Sequence, residues 1–489
     1  MFNLTVDEVK ELSKKYNMIP LTIECYADMD TPISVFKRMQ TEKDCFLLES
    51  IGQNHVTARF SFIGRNPFIS FKSLNDEITI SDYTGKTNTY KGKPMEELEK
   101  LIEKYKAPKL ENIPSFNGGA VGFFAYDIIR QYEHLPNINQ DDLHLPDMHF
   151  MLMDEIIAFD HMRQKIVIIV NIHAEGDIEN QYKKATGRLL DIQQEMTDLS
   201  GLMKKEKREY RSSSKMVSNM TKEEFCANVE KAKEYIKNGD IFQVVLSQRF
   251  TVETNVSPFN TYRALRLINP SPYMYYLNFG DYQIAGASPE MLVRVENGVV
   301  QTGPIAGTRP RGKTVEEDMA LEKELLADKK EIAEHTMLVD LGRNDIGRVS
   351  EFGSVKVTRF KYVERFSHVM HIITDVEGKL RSDKTCFDAL GSTLPGTLSG
   401  APKIRAMEII DELEKTKRST YGGAIGYISF NGNFDSCITI RTGVFKDGKA
   451  YIQAGGGIVY DSIPENEYQE SINKASAVLR AIEEAGDIV

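Results

Sequence analysis

Two pairs of glutamates constrain the fold of this chain more than any other feature of its sequence. Glu331 and Glu334 lie three residues apart in EIAEHTMLVDLGRND, and Glu467 and Glu470 repeat that spacing in PENEYQESINKASAVLRAI. Residues three apart share one face of a helix, where two negative charges repel unless a cation lies between them. Two such faces, if opposed, form a cage of oxygen ligands that suits Mg2+. The alternative is a pair of solvent-exposed helix faces, since the chain has 71 acidic residues.

The composition predicts a soluble globular protein. Of the 489 residues, 41% are hydrophobic and 27% are charged, as in soluble globular proteins. The length of the chain allows roughly two or three domains and a large core. No run approaches about 18 uninterrupted apolar residues, and the first residues lack the pattern of a signal peptide, so we expect no membrane partner and a cytoplasmic location. The formal charge of -10 disfavours nucleic acid as a partner. The five cysteines lack the spacing of a zinc site or a disulfide framework.

The order of the predicted elements favours the α+β class. Strands come in antiparallel-looking groups separated by long helices, without a regular alternation of strand and helix. Residues 201–219 are basic, rich in serine and without hydrophobic periodicity, and are predicted to link two halves of the chain. This division places an N-terminal domain at 1–200 and a second domain at 220–489. In the second domain, Thr221 and Glu224 predict a capping box at the start of a helix.

Three further features suggest a site for an anionic substrate. Gly455, Gly456 and Gly457 lie at the end of the predicted strand KAYIQAGGGIVY and could expose backbone N–H groups to a carboxylate, and a glycine bulge or turn explains them equally well. The loop GTLSG at 396–400 could hold an anion at the start of a helix, but it lacks the pattern of a nucleotide-binding loop. Arg441 lies within the predicted strand CITIRTG, where its guanidinium needs a partner, either a substrate carboxylate or a structural ion pair.

Two histidines are candidates for proton transfer or ligand binding. His335 is adjacent to Glu334, and His371 lies in VMHIIT. A histidine within apolar sequence is more often part of the core, and we favour that interpretation for His335. Together with the glutamates, the glycines and the arginine, His371 suggests one site for a small substrate that bears carboxylates.

The motifs, taken in their order, resemble those of the chorismate-utilising enzymes. They are SPE at 288–290, PIAGTRPRG at 304–312, EHTMLVDLGRND at 334–345, VMHIIT at 369–374, GTLSGAPK at 396–403, YGGAIGY at 421–427 and AGGGIVYDS ahead of the last glutamate pair. This set runs through residues 221–485 without a missing block. In the first half, PSFNGGAVGFFAYD resembles the N-terminal domain of the anthranilate synthase component I family. The resemblance implies antiparallel sheets packed as a sandwich, with helices on the outside.

Three positions separate the branches of this family. Aminodeoxychorismate synthases carry a lysine where this chain has Ala306, and water-using isochorismate synthases place a lysine base where it has Gln243. Gln243 and Thr397 resemble the ammonia-using pattern. The resemblance thus implies the anthranilate synthase large subunit, which converts chorismate to anthranilate and pyruvate in tryptophan biosynthesis. The alternatives are component I of aminodeoxychorismate synthase, which makes the para isomer, and a non-catalytic tryptophan sensor.

The resemblance also implies roles for residues at matching positions. Four carboxylates would hold Mg2+, two directly and two nearby or through water: Glu334 and Glu470, then Glu331 and Glu467. Glu290 would be the acid for the departing C4 hydroxyl of chorismate, and His371 would assist the elimination of pyruvate. The remaining implied positions are Thr397 for catalysis and, for chorismate binding, Gly307, Thr308, Tyr421, Arg441, Gly455, Gly456, Gly457 and Lys474.

Two segments resemble the tryptophan feedback site of the anthranilate synthase component I family. They are LLES at 47–50 and NPSPYM at 269–274. By position, the inhibitor L-tryptophan would be held by Ser50, Pro272, Tyr273 and Met274. The chain has no cysteine in a nucleophile pattern such as G-x-C-x-G. The resemblance therefore implies that ammonia comes from a separate glutamine amidotransferase subunit, component II, in a heterotetramer.

Overall fold

Antiparallel strands form the frame of the structure, a computed structural model that describes residues 2–51, 59–198, 216–366 and 369–488. The helices of these residues are α1 (Val6–Leu12), α2 (Pro32–Met39), α3 (Pro94–Glu103), α4 (Ile178–Thr197), α5 (Lys222–Asn238), α6 (Pro258–Ile268), α7 (Val315–Ala327), α8 (Lys329–Gly347), α9 (Cys386–Thr393), α10 (Lys403–Leu413) and α11 (Pro464–Ala485). Their strands are β1 (Met18–Tyr26), β2 (Cys45–Glu49), β3 (Phe60–Arg65), β4 (Ile69–Leu74), β5 (Glu77–Asp82), β6 (Thr87–Lys91), β7 (Gly119–Phe124), β8 (Met148–Met153), β9 (Glu155–Asp160), β10 (Lys165–His173), β11 (Val217–Ser218), β12 (Gln243–Glu253), β13 (Tyr273–Asn278), β14 (Tyr282–Ser288), β15 (Met291–Glu296), β16 (Val299–Thr302), β17 (Ile305–Pro310), β18 (Lys356–Arg365), β19 (Val369–Lys379), β20 (Gly400–Ala401), β21 (Ala424–Ser429), β22 (Phe434–Ile438), β23 (Thr442–Lys446) and β24 (Lys449–Ile458).

These strands form two sheets, each with twelve of the described strands. The first sheet has the order β1-β10-β9-β3-β2-β13-β14-β23-β24-β12-β11, with β20 paired to β12. The second has the order β17-β19-β16-β15-β22-β21-β7-β8-β4-β5-β6, with β18 paired to β19. The pairs that define both orders are antiparallel.

The two sheets pack face to face with apolar side chains between them. Phe62 and Tyr275 of the first sheet meet Phe123 and Met151 of the second in one buried cluster. The outer face of the first sheet is covered by α1, α2, α4, α6 and α11, and that of the second by α3, α8, α9 and α10. The central strands of each sheet therefore have both faces covered, whereas β6 and the first half of β18 in the second sheet are exposed. The predicted α+β class, with antiparallel sheets in a sandwich and helices outside, is confirmed.

Strands from the two halves of the chain pair with each other in both sheets. In the first sheet β2 pairs with β13, so that Glu49 lies opposite Met274. In the second sheet β7 pairs with β21. The division of the chain at 201–219 stays a prediction, and residues 201–215 lie outside those that the structure describes. The two halves share one hydrogen-bonded frame.

The prediction of a single strand through Arg441 is wrong. β22 ends at Ile438 in the second sheet, and β23 begins at Thr442 in the first. Arg441 lies between them with a φ of 54°, in the left-handed region. The alternating pattern continues on both sides of this crossover, so a change of sheet is not visible in the sequence. Arg441 therefore lies where the chain passes from the second sheet to the first.

The helices begin and end at signals that the sequence carries. The capping box is confirmed, because Glu224 N donates to Thr221 Oγ1 at 3.2 Å and Thr221 N donates to the Glu224 carboxylate at 2.9 Å. Gly239, with a φ of 84°, ends the same helix. Among the described residues, no helix combines the length and the apolar character needed to cross a membrane.

A glycine in the middle of the second sheet tests how tightly this frame is packed. A Cβ at Gly122 would overlap the His149 carbonyl oxygen and lie 2.8 Å from the Phe150 Cα. We expect Gly122→Ala to lower the free energy of unfolding by roughly 1 to 3 kcal/mol, because backbone must move. Gly187→Ala is the matched control: nothing lies within 4 Å of its Cβ on α4, and alanine favours a helix by about 1 kcal/mol. Denaturant unfolding of both variants measures the difference, and equal stabilities would contradict the packing.

Candidate active site

Two helices carry the four glutamates, and the pair on α11 lies beside the backbone of β24. α8 carries Glu331 and Glu334, and α11 carries Glu467 and Glu470. A Cβ added to Gly456 would lie 3.1 Å from Glu467 Oε2 and 3.3 Å from Glu470 Oε1. The glycine therefore leaves room for both carboxylates of α11, and Glu334 of α8 lies close enough to Glu470 for their charges to interact.

The charges of these glutamates repel each other. Burial raises the pKa of Glu334, and the neighbouring charges of Glu331 and Glu470 act in the same direction. Burial also raises the pKa of Glu467, again with a contribution from Glu470. Lys474 offsets part of the negative charge, since its Nζ lies 2.6 Å from Glu470 Oε1. The remaining carboxylates would be stabilised by a cation between the helices.

The chemistry of these donors fits Mg2+, which prefers oxygen ligands. Within the described part of the chain, no group of three or more histidine, cysteine, aspartate or glutamate side chains is gathered closely enough to hold a metal ion by itself. Mg2+ usually keeps several waters and binds through one or two carboxylates together with an anionic substrate. A metal ion held by these glutamates would thus need oxygens of a bound substrate to complete its ligands.

Glu290 is a buried acid that is held by Thr397. Thr397 Oγ1 donates a hydrogen bond to Glu290 Oε1 at 2.9 Å. Burial raises the pKa of Glu290 to about 8, although the hydrogen bond from Thr397 acts in the opposite direction. The carboxyl group therefore carries its proton at neutral pH. The structure brings these two candidate catalytic residues into contact, and a protonated carboxyl group is able to donate a proton.

His371 is held as a neutral imidazole. It lies opposite Thr308 across the β17–β19 pair, and its Nδ1 is 3.0 Å from Thr308 Oγ1 and 3.1 Å from the Gly307 carbonyl oxygen. Burial lowers the pKa of His371 to about 4. A carbonyl oxygen only accepts hydrogen bonds, so Nδ1 carries the proton and Nε2 remains an acceptor. Gly307 has a φ of 75°, which favours glycine there.

Arg441 and Lys474 form a cationic side of the same cleft. Arg441 Nη1 donates to the Lys474 carbonyl oxygen at 2.7 Å, and Lys474 Nζ donates to the Gly455 carbonyl oxygen at 3.0 Å. Lys474 is close enough to affect the pKa of groups on several sides: Glu290, Glu334, His371 and Glu467. The candidate residues from four motifs therefore surround one cleft.

The three consecutive glycines are extended rather than turned. Gly455, Gly456 and Gly457 belong to β24 and pair in register with β12, and none of them has a left-handed φ. The expectation of an anion nest, a bulge or a turn is wrong, because the strand continues to Ile458. The absence of side chains at these glycines instead leaves space beside the strand. A Cβ at Gly457, for example, would overlap Gln243 Nε2.

Tyr421 lies beside a buried ion pair that was not predicted. The Arg418 guanidinium carbon lies 5.5 Å from the centre of the Tyr421 ring. Arg418 Nη2 is 2.6 Å from Glu414 Oε1, and its Nη1 donates to the Leu398 carbonyl oxygen at 2.7 Å, next to Thr397. Arg418 precedes YGGAIGY by three residues, but its hydrogen bond to Leu398 in the motif GTLSGAPK could not be identified from sequence.

Arg309 is a second supporting residue that was not predicted. Its Nη2 lies 2.7 Å from Asp328 Oδ2, and its Nη1 lies 3.5 Å from Glu331 Oε1. Asp328 is the N-cap of α8. Arg309 therefore links the motif PIAGTRPRG to the first turn of α8, the helix that carries Glu331 and Glu334. Its position within that motif was the only feature of the sequence that pointed to a role for it.

The loop GTLSG presents a side chain to the cleft instead of leading directly into a helix. After a 3-10 turn at Gly396–Leu398 the chain forms β20, and α10 begins at Lys403. The expectation of an anion at the start of this helix stays a prediction. Lys403 is also buried in an ion pair, with Nζ 2.8 Å from Asp345 Oδ2.

His335 is part of the core, as predicted. It is fully buried on the face of α8 that packs against the second sheet. Its Nε2 is 2.7 Å from Thr374 Oγ1 on β19. Burial lowers the pKa of His335 to about 4, so the ring is neutral in this position.

A cavity of about 280 Å3 lies between the two sheets, and the four glutamates of α8 and α11 are not among its lining residues. Ser50, Pro272, Tyr273 and Met274, the four residues of the predicted feedback site, all line this cavity. The β2–β13 pair supplies part of its wall, so residues of both halves of the chain meet there. The structure thus gathers the two predicted feedback segments around one space.

Charged and aromatic side chains line the remainder of this cavity. Arg294 Nη2 lies 2.8 Å from Asp435 Oδ2, and Tyr273 Oη donates to Asp435 Oδ1 at 2.9 Å. Glu49, Arg59, Phe60 and Tyr427 complete much of the lining. A space with both signs of charge and with aromatic rings fits a zwitterion that bears an aromatic group.

The protonated state of Glu290 has a consequence for stability. Its pKa rises from 4.5 to about 8 on folding, so the native state holds an extra proton between these values and loses stability as the pH rises towards 8. Glutamine cannot ionise. We therefore expect Glu290→Gln to become more stable than the parent as the pH rises from about 5 to about 8, by roughly a few kcal/mol.

Calorimetric melting at several pH values measures this effect. Glu99→Gln is the matched control, because the half-buried Glu99 on α3 also accepts a hydrogen bond from a threonine, Thr385 Oγ1 at 2.6 Å, and lies outside the cleft. Burial raises the pKa of Glu99 as well, so a smaller change with pH in the same direction is expected for this variant. A difference between Glu290→Gln and the parent that does not change with pH would contradict the buried, protonated carboxyl group.

Comparison with known proteins shows the family of this chain. The family model described as chorismate binding enzyme matches residues 43–480. The chain is 60% identical to anthranilate synthase component 1 of Acetivibrio thermocellus, with 100% of each chain covered, and 46% identical to that of Aquifex aeolicus, with 98% of each covered. The crystal structure of anthranilate synthase component I from Streptococcus pneumoniae superposes with a TM-score of 0.75 at 43% identity, covering 93% of this chain and 98% of that one. This chain belongs to the family of chorismate binding enzymes.

Proposed function

We propose that this chain is an anthranilate synthase large subunit, which converts chorismate to anthranilate and pyruvate with ammonia and Mg2+. The observation that supports the proposal most is the placement of a protonated Glu290 and a neutral His371 around Lys474, in a cleft with four glutamates. A proton donor and a proton acceptor with separated pKa values suit an amination followed by an elimination. The full-length relatives named anthranilate synthase component 1 support the same function.

Mg2+ would be held by Glu334 and Glu470, with Glu331 and Glu467 nearby or bound through water. When bound, the metal would orient the ring carboxylate of chorismate and withdraw charge from it. Raised pKa values at Glu334 and Glu467 support a cation at this place, because burial and mutual repulsion both disfavour the free anions.

In the first step, ammonia attacks C2 of the ring and the C4 hydroxyl leaves. Glu290 gives its proton to this hydroxyl, which departs as water, and Thr397 Oγ1 donates to the carboxylate that remains. Gly307 and Thr308 would line the ring. Arg441, Tyr421, Lys474 and the bare strand at Gly455, Gly456 and Gly457 would face the enolpyruvyl group and its carboxylate.

In the second step, the aminated intermediate loses pyruvate and becomes aromatic. His371 takes the proton from C2 at Nε2, because Nδ1 is occupied by its hydrogen bond to Gly307. The C3–oxygen bond breaks as the ring becomes aromatic, and the enolpyruvyl group leaves as pyruvate. The neutral state of His371 supports this role, since an imidazolium could not accept the proton.

The ortho product is favoured over the para isomer by the residue at position 306. Ala306 has no nucleophile, so a covalent lysine route to the para isomer is closed to this chain. Gln243 at the start of β12 lies beside Glu334, with Nε2 3.4 Å from Glu334 Oε1, and a neutral amide there suits ammonia better than a base that activates water.

Ammonia would come from a separate glutamine amidotransferase subunit, component II, in a cytoplasmic heterotetramer. The names of the full-length relatives support a two-component enzyme, since each is called component 1. L-tryptophan would inhibit the enzyme by entering the cavity lined by Ser50, Pro272, Tyr273 and Met274. The paired charges and aromatic rings of that cavity support an aromatic amino acid as its ligand.

The role of Glu290 is tested by the formation of anthranilate, which is fluorescent, from chorismate, Mg2+ and ammonium. We expect Glu290→Gln to lower kcat by about 10^2 to 10^4, because general acid catalysis contributes about that much. Glu99→Gln is expected to keep the parent rate. Full activity of the Glu290 variant would remove the residue from this role, and formation of the para isomer by the parent would move the chain to the other branch.

The feedback cavity is tested by filling it. Ser50→Leu adds apolar volume at its wall, so we expect at least about tenfold weaker inhibition by L-tryptophan and an unchanged kcat without the inhibitor. Ser81→Leu on β5, where Ser81 Oγ lies 3.0 Å from Thr87 Oγ1 on the sheet surface, is the matched control and is expected to stay sensitive. Inhibition of Ser50→Leu at the parent concentration would contradict the assignment of the cavity.

A further inference from the structure

The Ser288 hydroxyl group links the backbone of Glu290 to the end of β22 through two hydrogen bonds. Its Oγ donates to the Ile438 carbonyl oxygen at 2.7 Å and accepts from Glu290 N at 3.3 Å. Ile438 N donates in turn to the Glu290 carbonyl oxygen at 3.0 Å. Ser288 is fully buried, so water cannot replace these bonds if the hydroxyl is lost. The place of the Glu290 carboxyl group beside Thr397 therefore depends on this serine.

The same strands form a wall of the cavity between the sheets. Ser288 ends β14 and lies opposite Tyr273 of β13, and Tyr273 lines the cavity. β22 lines it through Asp435 and Cys437 and then ends at Ile438. Because Tyr273 Oη donates to Asp435 Oδ1 at 2.9 Å, the two walls are also tied to each other. A molecule in the cavity would contact both strands that meet at the Ser288 hydroxyl.

We propose that Ser288 is a positioning residue that keeps the Glu290 acid in its place and transmits occupation of the cavity to it. The inference rests on the proposed functions of the cleft and the cavity. Ser288 contacts the backbone of the acid and not the substrate. Its loss therefore affects the chemical step more than the binding of chorismate. Its loss also removes the hydroxyl link between the acid and the cavity wall, so that only the bond from Ile438 N to the Glu290 carbonyl oxygen remains there.

The first test compares Ser288→Ala with a matched control, Ser436→Ala. Ser436 is also a buried serine, and its Oγ donates to the Val293 carbonyl oxygen at 2.9 Å between β22 and β15. We expect Ser288→Ala to lower kcat by about 10- to 100-fold with KM for chorismate within about twofold of the parent. Ser436→Ala is expected to keep both constants. A parent kcat in Ser288→Ala would overturn the positioning role.

The second test measures the coupling between the two sites at equilibrium. The chain contains no tryptophan, so bound L-tryptophan can be followed by its own fluorescence, excited beyond the absorption of tyrosine. Titrations contain Mg2+ but no ammonium, with and without chorismate. We expect chorismate to weaken tryptophan binding by about fivefold or more in the parent and in Ser436→Ala, and by less than about twofold in Ser288→Ala. Binding of tryptophan also shows that each variant is folded.

The outcomes separate the inference from the functions on which it rests. Coupling of parent size in Ser288→Ala would overturn transmission through Ser288 and leave the feedback site intact. No binding of tryptophan by the parent would overturn the feedback site together with transmission, and the kcat comparison would still decide the positioning role. If Ser288→Ala does not fold, Ser288→Cys replaces it, since a thiol of similar size is a weaker hydrogen-bonding group and is expected to shift both readouts in the same direction.

Discussion

The backbone ladders between the two halves of the chain are the constraint on which both sites depend. β2 pairs with β13 and β7 pairs with β21, so neither sheet is complete without strands from each half. A shift of one residue in either ladder would turn every side chain to the opposite face. The cavity wall at Ser50 and Tyr273 would then lose its lining. The two ladders thus fix the cavity directly and, through β14 and β22, the place of Glu290.

Burial sets the protonation states in the cleft. The carboxyl group of Glu290 has a raised pKa and the imidazole of His371 a lowered one, so both are uncharged near neutral pH. Charge is concentrated instead on the glutamates of α8 and α11 and on Lys474. An anionic substrate with a divalent cation would complete this distribution, because each would neutralise one part of it. The same fold would therefore supply the proposed proton donor, Glu290, the proposed proton acceptor, His371, and the proposed cation site between α8 and α11.

Local features of the sequence predicted the local parts of this arrangement. The spacing of the glutamates predicted two charged helix faces, and Thr221 with Glu224 predicted a capping box, since both depend on residues within one turn. The change of sheet at Arg441 was not predicted, and the nest, bulge or turn expected at Gly455 to Gly457 was wrong, because strand pairing depends on partners far along the chain. Ser288 was missed for the same reason: a buried serine has no signal in sequence until its neighbours are known.

The binding of Mg2+ tests the central claim that four glutamates and the substrate together form the reaction centre. Calorimetric titration of Mg2+ into the chain without ammonium, with and without chorismate, measures it directly. We predict weak binding alone and clearly tighter binding with chorismate, lost in Glu334→Gln and kept in Asp340→Asn, whose carboxylate pairs with Arg343 on the exposed side of α8. Equally tight binding with and without chorismate, or unchanged binding in Glu334→Gln, would contradict the account.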